Sequence, residues 1–355
     1  MHPWGRRGRG AARAGRPSRF TLRRSRAPGE SFAHGWSGAA RHDALRRAPA
    51  RRQRLSVRRA RTASGLSAHE RHARLPTELP PRDARGRGRL KGAVFITGAS
   101  SGIGRAAAEV LARAGFVVFA GVRTDEDASQ LAAIDPKIRP LILDVTGAAS
   151  IAAAEEQVER SELPLRGVVA NAGYALAGPL EYLPLAELRA QFEVNVFGAY
   201  AIAQATLPAL RAAKGRLVFV GSISGRFSVP FIAPYSASKF ALRALADAWR
   251  IELKPAGVDV VLIEPGSVRT AIWRKGRDAN AARFASLPAQ ARERYSKAMD
   301  AVMRVSELEE RTALEPQRVA ATILRALTAQ RPRPHYLVGA GARAGTIFAL
   351  LPSRL

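Results

Sequence analysis

A chain of 355 residues with 47% hydrophobic content has ample material for a sizeable core, as one large α/β domain or two smaller ones. Cysteine is absent, which excludes disulfides, thiolate metal sites and cysteine nucleophiles. Of six histidines only His335 lies beyond residue 91, so neither a histidine-centred triad nor a multi-histidine metal site is expected in the main body. The net charge of +28 would suit a nucleic-acid binder, but residues 1–91 carry 25 Lys/Arg against 5 Asp/Glu. The remainder carries 32 against 24 and is only mildly basic.

Residues 1–90 are rich in Arg, Ala, Gly, Pro and Ser and show no period of 2 or 3.6. With few apolar side chains to offset the entropy of ordering, this extension is expected to be disordered. An organelle transit sequence would set its arginines on one amphipathic face, and here they are scattered. A phosphate-binding arm would interleave them with aromatics, and Trp4, Phe20, Phe32 and Trp36 are too sparse for that. The favoured reading is a segment that is not functional protein, translated from a start assigned too far upstream in a GC-rich gene. No run of about 18 apolar residues occurs, so no membrane span is expected, and a cytoplasmic location is. The apolar stretch 346–351 is too short to span and reads as core or interface packing.

From residue 91 to 355 the texture is that of a single domain of short apolar runs alternating with helical patterns. Strands are predicted over 93–97, 116–121, 138–143, 167–170, 216–221, 258–264 and 335–338. Helices are predicted over 103–114, 126–133, 148–160, 185–212, 235–254 and 316–329. Such alternation implies a parallel sheet of about seven strands covered on both faces. Right-handed crossovers make a doubly wound, Rossmann-like α/β topology the simplest arrangement.

Between the first predicted strand and helix lies Gly98-Ala99-Ser100-Ser101-Gly102-Ile103-Gly104. Alone, such glycine spacing is a weak signal; between a strand and a helix it has the context that dinucleotide binding requires. Gly98 permits the tight turn, Gly102 lets the backbone approach a pyrophosphate, and Gly104 allows close helix–strand packing. The helix N-terminus offers free N–H groups to the phosphates. At the end of the second strand stands Arg123, where an acidic residue would bind a ribose hydroxyl and repel a 2′-phosphate. Arginine there favours NADP(H) over NAD(H). The competing reading is a solvated arginine paired with Asp125 or Glu126.

Tyr235 and Lys239 stand one helical turn apart in Tyr235-Ser236-Ala237-Ser238-Lys239. A tyrosine of ordinary pKa, about 10, is a poor base at neutral pH. The lysine at i+4 is expected to lower that value, so that Tyr235 exchanges a proton with a substrate oxygen while hydride moves at the adjacent carbon. Ser222 at the end of the fifth strand is the expected polar partner of the carbonyl, with Ser224 as the alternative.

Across residues 92–340 the chain resembles the short-chain dehydrogenase/reductases. The resemblance rests on residues 97–104, Asp144-Val145, Asn171-Ala172-Gly173, Asn195-Val196, Ser222, Tyr235 with Lys239, and Pro265-Gly266 followed by Val268 and Thr270. It implies that Ser100, Ser101 and Ile103 join the glycines in holding the cofactor. Asp144, beside Val145, would contact the adenine amine, and Asn171, with Ala172 and Gly173, would brace the fourth strand. Asn195 would hold a water linking Lys239 to solvent, and Lys239 would bind the nicotinamide ribose. Pro265, Gly266, Val268 and Thr270 would line the nicotinamide and phosphates. Two positions depart from the family pattern. Ala170 replaces the first of two asparagines, and Ser101 stands where many NADP-dependent members carry a basic residue.

The resemblance also implies a substrate lid around 270–315, where Trp273, Phe284, Leu287, Tyr295, Met299 and Met303 would suit a lipophilic alcohol or carbonyl compound. The plainer reading is a helix pair packed on the sheet. Segments 272–276 and 333–339 resemble the branch of retinol and 17β-hydroxysteroid dehydrogenases. Dimers or tetramers built on helices 185–212 and 235–254 are implied as well. Against the oxidoreductase stand a dinucleotide-binding regulatory or scaffold protein without turnover, and a nucleic-acid binder acting through the tail.

Overall fold

The structure, a computed structural model, describes residues 91–270, 281–342 and 346; within the helices it leaves out the side chains of residues 303, 306 and 308–310. The expectations for residues 1–90, for Trp273 and the rest of 271–280, for the side chain of Met303, and for 347–351 lie outside the described residues. The sheet strands are β1 (Ala93–Ile96), β2 (Val117–Val122), β3 (Ile138–Ile142), β4 (Leu165–Ala170), β5 (Arg216–Val220), β6 (Asp259–Pro265) and β7 (His335–Val338). They form one sheet in the order β3-β2-β1-β4-β5-β6-β7 with every pairing parallel. The order reverses between β1 and β4, which opens a crevice at their carboxyl ends where α/β sheets bind ligands.

The strands are near-continuous apolar runs because both faces are covered. Along β1, Phe95 points to a core shared with Phe119, Leu217 and Phe219. Val94 and Ile96 point to a second core with Val118, Val218 and Ile263. The first face is closed by α3 (Ala148–Glu159), α5 (Ala199–Ala213) and α6 (Ala233–Glu252), through Ile151, Ile202, Leu210 and Leu242. The second is closed by α1 (Gly102–Arg113), α2 (Asp125–Ala132) and α8 (Pro316–Thr328). There Ala106, Ala107 and Ala108 lie in the same core as Val319, Ala320 and Ile323, small side chains that let helices approach closely. Each fully buried large side chain contributes on the order of 2 kcal/mol.

Two departures from the sequence expectations bear on function. The predicted helix 185–212 is interrupted: α4 (Leu185–Phe192) passes through a π-helical turn, Glu193–Gly198, into α5. The extra residue turns Asn195 inward, 1% exposed, and seats Gly198 where a Cβ would lie 2.7 Å from Val145 Cγ2. The segment expected to be a lid contains a long helix, α7 (Ala289–Arg311), that packs on the loop before α4. Arg294 and the Tyr295 hydroxyl donate to Glu181 at 2.8 and 2.6 Å, and Arg283 pairs with Glu187 and donates to the Ala177 carbonyl.

Candidate active site

The glycine loop is built as a cradle. Gly98 and Gly102 lie at φ +66° and +57°, where a side chain is strained, and a Cβ on Gly102 would fall 2.9 Å from Thr270 Cγ2. Thr270 therefore sits against the loop. At Gly104 a Cβ would come within 2.2 Å of the Gly98 carbonyl oxygen and 2.7 Å of Asn171 Nδ2. The α1 N-terminus has no side-chain cap and no acidic residue in its first turn, so its leading N–H groups and positive end face outward for an anion. These features fit a dinucleotide pyrophosphate.

The loop is braced from β4. Asn171 donates through Nδ2 to the Thr97 and Gly98 carbonyls, both at 3.0 Å. Thr97 Oγ1 accepts from the backbone N–H groups of Asn171 and Ala172 at 3.0 and 2.9 Å. Thr97 thus holds the segment 171–173 in place, a role the motif alone did not assign. At the far end, Arg123 and Asp144 follow β2 and β3. The Thr146 N–H and hydroxyl hydrogen bond to the Asp144 carboxylate and, against a small effect of burial and with help from the Arg123 charge, hold it below its usual range. Among the described residues Arg123 forms no ion pair; Asp125 and Glu126 lie in the first turn of α2 instead. Pro265 ends β6, the Gly266 N–H donates to the Val338 carbonyl at 3.0 Å, and Val268 is bridged to Leu314.

Lys239, Ser222 and Tyr235 meet beside this cradle. Lys239 is 6% exposed; its Nζ donates to the Val220 carbonyl at 2.9 Å and lies 5.6 Å from the centre of the Tyr235 ring. Burial depresses its pKa from 10.5 to about 8. Ser222 Oγ accepts from the Ser224 N–H at 3.1 Å, which leaves its own proton to be directed at Tyr235. Burial raises the Tyr235 phenol above its ordinary range, and the hydrogen bond with Ser222 opposes this. Desolvation is the leading influence on Tyr235, and one of the three N–H donors of the Lys239 ammonium is taken by the Val220 carbonyl. Ser224 acts through its backbone on Ser222.

Asn195 accepts from the Tyr174 N–H and donates to the Tyr174 carbonyl, both at 3.0 Å, and its Nδ2 reaches Ser238 Oγ at 3.1 Å. Buried Gln191 repeats the arrangement on Leu176 N–H and the Tyr174 carbonyl. Neither Gln191 nor Ser238 was singled out in the sequence, although Ser238 stands inside the Tyr235–Lys239 motif. Phe231 holds φ +68°, unusual for a bulky residue. Its carbonyl accepts from the Gly178 N–H at 2.7 Å, and its ring meets Tyr295 edge-on at 5.8 Å. Tyr182 also meets Tyr295 edge-on, so Tyr295 of α7 clusters with the Phe231 and Tyr182 rings.

The family profile for short chain dehydrogenase matches residues 92–281. An NADPH-dependent 3-dehydrocapnine reductase of Ornithobacterium rhinotracheale is 35% identical over 251 residues, covering 68% of this chain and 86% of that protein. The 17-beta-hydroxysteroid dehydrogenase type 6 of Bos taurus is 37% identical over 256 residues, covering 69% and 80%. A short chain dehydrogenase from Burkholderia cenocepacia, solved in complex with NADP, superposes with a TM-score of 0.56 at 25% identity, covering 73% and 92%. The chain belongs to the short-chain dehydrogenase/reductase family, and it is an NAD(P)-dependent oxidoreductase acting on CH–OH groups and their carbonyl counterparts. Among the described residues no helix is long and apolar enough to cross a membrane.

Proposed function

We propose that the enzyme uses NADP(H) to interconvert a lipophilic secondary or long-chain alcohol with its carbonyl compound, with Tyr235 moving the proton. The observation that carries this reading is the convergence of Tyr235, Ser222 and Lys239 beside the glycine cradle. A bound nicotinamide dinucleotide supplies or takes up the hydride. The chain's own groups do the rest. The Ser222 hydroxyl donates to the carbonyl oxygen and orients it. The Tyr235 phenol, held protonated by burial, delivers its proton to that oxygen in the reductive direction. Lys239, buried and tied to the Val220 carbonyl, supports the ribose side of the cradle.

The preference for NADP(H) is supported by Arg123, exposed at the end of β2 with no ion pair among the described residues, and by a relative named as NADPH-dependent. The aromatic cluster of Phe231, Tyr182 and Tyr295, and the relative named for hydroxysteroids, support an apolar substrate. A homodimer or larger oligomer is supported by Phe197, Tyr200, Phe240 and Ile251. They are exposed on α5, α6 and the preceding turn, and Tyr200 stacks on Trp249 to join the two helices. The single domain from 91 to 355 accounts for the activity without the basic extension.

Tyr235→Phe tests the mechanism. It is expected to lower kcat for NADPH-dependent carbonyl reduction by roughly 100- to 10,000-fold, the range for losing a general acid, while leaving NADPH affinity unchanged. Turnover near wild type in that variant contradicts the assignment.

A further inference from the structure

Behind Ser222 lies a charged network that the chemistry above leaves without a role. Arg226 follows the short 3-10 turn Ile223–Gly225, whose first cap is Ser222. Its Nε and Nη2 donate to the two carboxylate oxygens of Glu264 at 2.7 and 2.6 Å. Glu264 is fully buried on β6, immediately before Pro265 and Gly266. His335, on β7, lies between two carboxylates, with Nδ1 3.0 Å from Glu264 Oε2 and Nε2 2.7 Å from Asp247 Oδ1 on α6. Arg243 flanks Asp247 at 3.9 Å, and Arg226 Nη2 lies 3.3 Å from His335 Nδ1. Both ring nitrogens can donate only in the imidazolium form. The geometry agrees with His335 being raised above its ordinary range, first by the Glu264 hydrogen bond. Burial pushes the Glu264 carboxyl up, but the bonds from His335 and Arg226 outweigh it and hold Glu264 ionised.

A buried ion pair of this kind is weak evidence for stability, because desolvation offsets most of the attraction. Orientation is the property it does supply, since a planar guanidinium on both oxygens of a carboxylate fixes distance and angle together. Here it joins the chain segments at the carboxyl ends of two neighbouring strands, β5 and β6. One is the turn that presents Ser222; the other is the β6 end leading into Pro265-Gly266 and on to Thr270, which sits against the glycine loop. Resting on the reading of Ser222 and Tyr235 as the carbonyl-facing pair, we propose that Arg226 and Glu264 are positioning residues for turnover. Their two-bond pair sets Ser222 at a fixed distance from the cofactor side of the site, and His335 with Asp247 holds Glu264 in that orientation.

The test uses the full-length protein and three measurements: amide hydrogen exchange over 222–226, the NADPH dissociation constant with the melting temperature, and steady-state reduction of phenanthrenequinone. Arg226→Met/Glu264→Leu replaces the pair by apolar groups and is expected to keep the melting temperature and NADPH affinity near wild type. Exchange over 222–226 should quicken, and kcat should fall roughly 10- to 100-fold with KM little changed, as misplacement of a reacting group predicts. Arg226→Lys, which keeps the charge but loses the fork, should fall between the two and decides the matter if the double variant does not fold. Wild-type kcat, unchanged exchange over 222–226, or a loss of kcat matched by equal loss of melting temperature and NADPH affinity overturns the positioning role. A wild-type enzyme inert toward the quinone counts against the proposed activity instead, and the exchange comparison still decides whether the pair orders the Ser222 turn.

Discussion

At the scale of single residues, desolvation is the leading influence on the two ionisable groups of the candidate pair. Lys239 and Tyr235 are both displaced toward their neutral forms, Lys239 to about 8 and Tyr235 upward, with burial as the leading cause. The lysine shift has a consequence for stability. A folded value of about 8 against 10.5 means that the folded state binds fewer protons between those limits. The full cost of charging the buried amine is therefore present below pH 8, and it is relieved as pH rises toward 10.5. Lys239→Met is expected to raise stability at pH 7 by about 1–3 kcal/mol, net of the unsatisfied Val220 carbonyl, while abolishing turnover. The gain should shrink as pH rises from about 8 and be largely gone near 10.5, which chemical denaturation at several pH values checks. The Tyr235–Lys239 pair was legible in the sequence because its spacing defines a helix face. The direction of the tyrosine shift was not, because it depends on how far the fold removes the phenol from water, which the motif spacing does not carry.

At the scale of elements, the parallel strands were legible because sheets buried on both faces leave runs such as 117–122 wholly apolar. The break between α4 and α5 was not, because the contacts it serves are tertiary: Asn195 bonded to the Tyr174 backbone, and Gly198 at a place where a Cβ would meet Val145. The glycine loop was legible as a motif, and the structure adds how tightly it is closed. Gly104→Ala puts a methyl 2.2 Å from the Gly98 carbonyl oxygen, so the backbone itself must move. It is expected to lose about 1–3 kcal/mol of stability together with dinucleotide binding. Gly147→Ala, whose Cβ would meet nothing closer than 3.5 Å, should leave both near wild type. Thermal melts with and without NADPH separate the two variants, and equal behaviour would show that the loop is not the cradle described.

At the scale of the molecule, the least legible feature was the network behind Ser222, whose members come from four separate segments. Arg226 lies 38 residues from Glu264 and 109 from His335, and only the β6–β7 pairing brings the histidine into line. A lone histidine in the body carried no signal by itself. The exposed apolar residues Phe240 and Ile251 on α6 give a prediction at this scale. Phe240→Glu/Ile251→Glu should shift the sedimentation of the full chain toward monomer, and an unchanged oligomer would place the contact elsewhere. The proposed NADP(H) preference rests on the glycine cradle and the exposed Arg123, and the proposed proton transfer on Tyr235. Side-by-side fluorescence titration of NADPH and NADH into wild type, Arg123→Asp and Tyr235→Phe tests the preference most directly. The account predicts NADPH binding tighter by roughly tenfold or more in wild type and Tyr235→Phe, and that preference lost in Arg123→Asp. Tighter NADH binding in wild type would contradict the role of Arg123, and binding of neither dinucleotide would contradict the account as a whole.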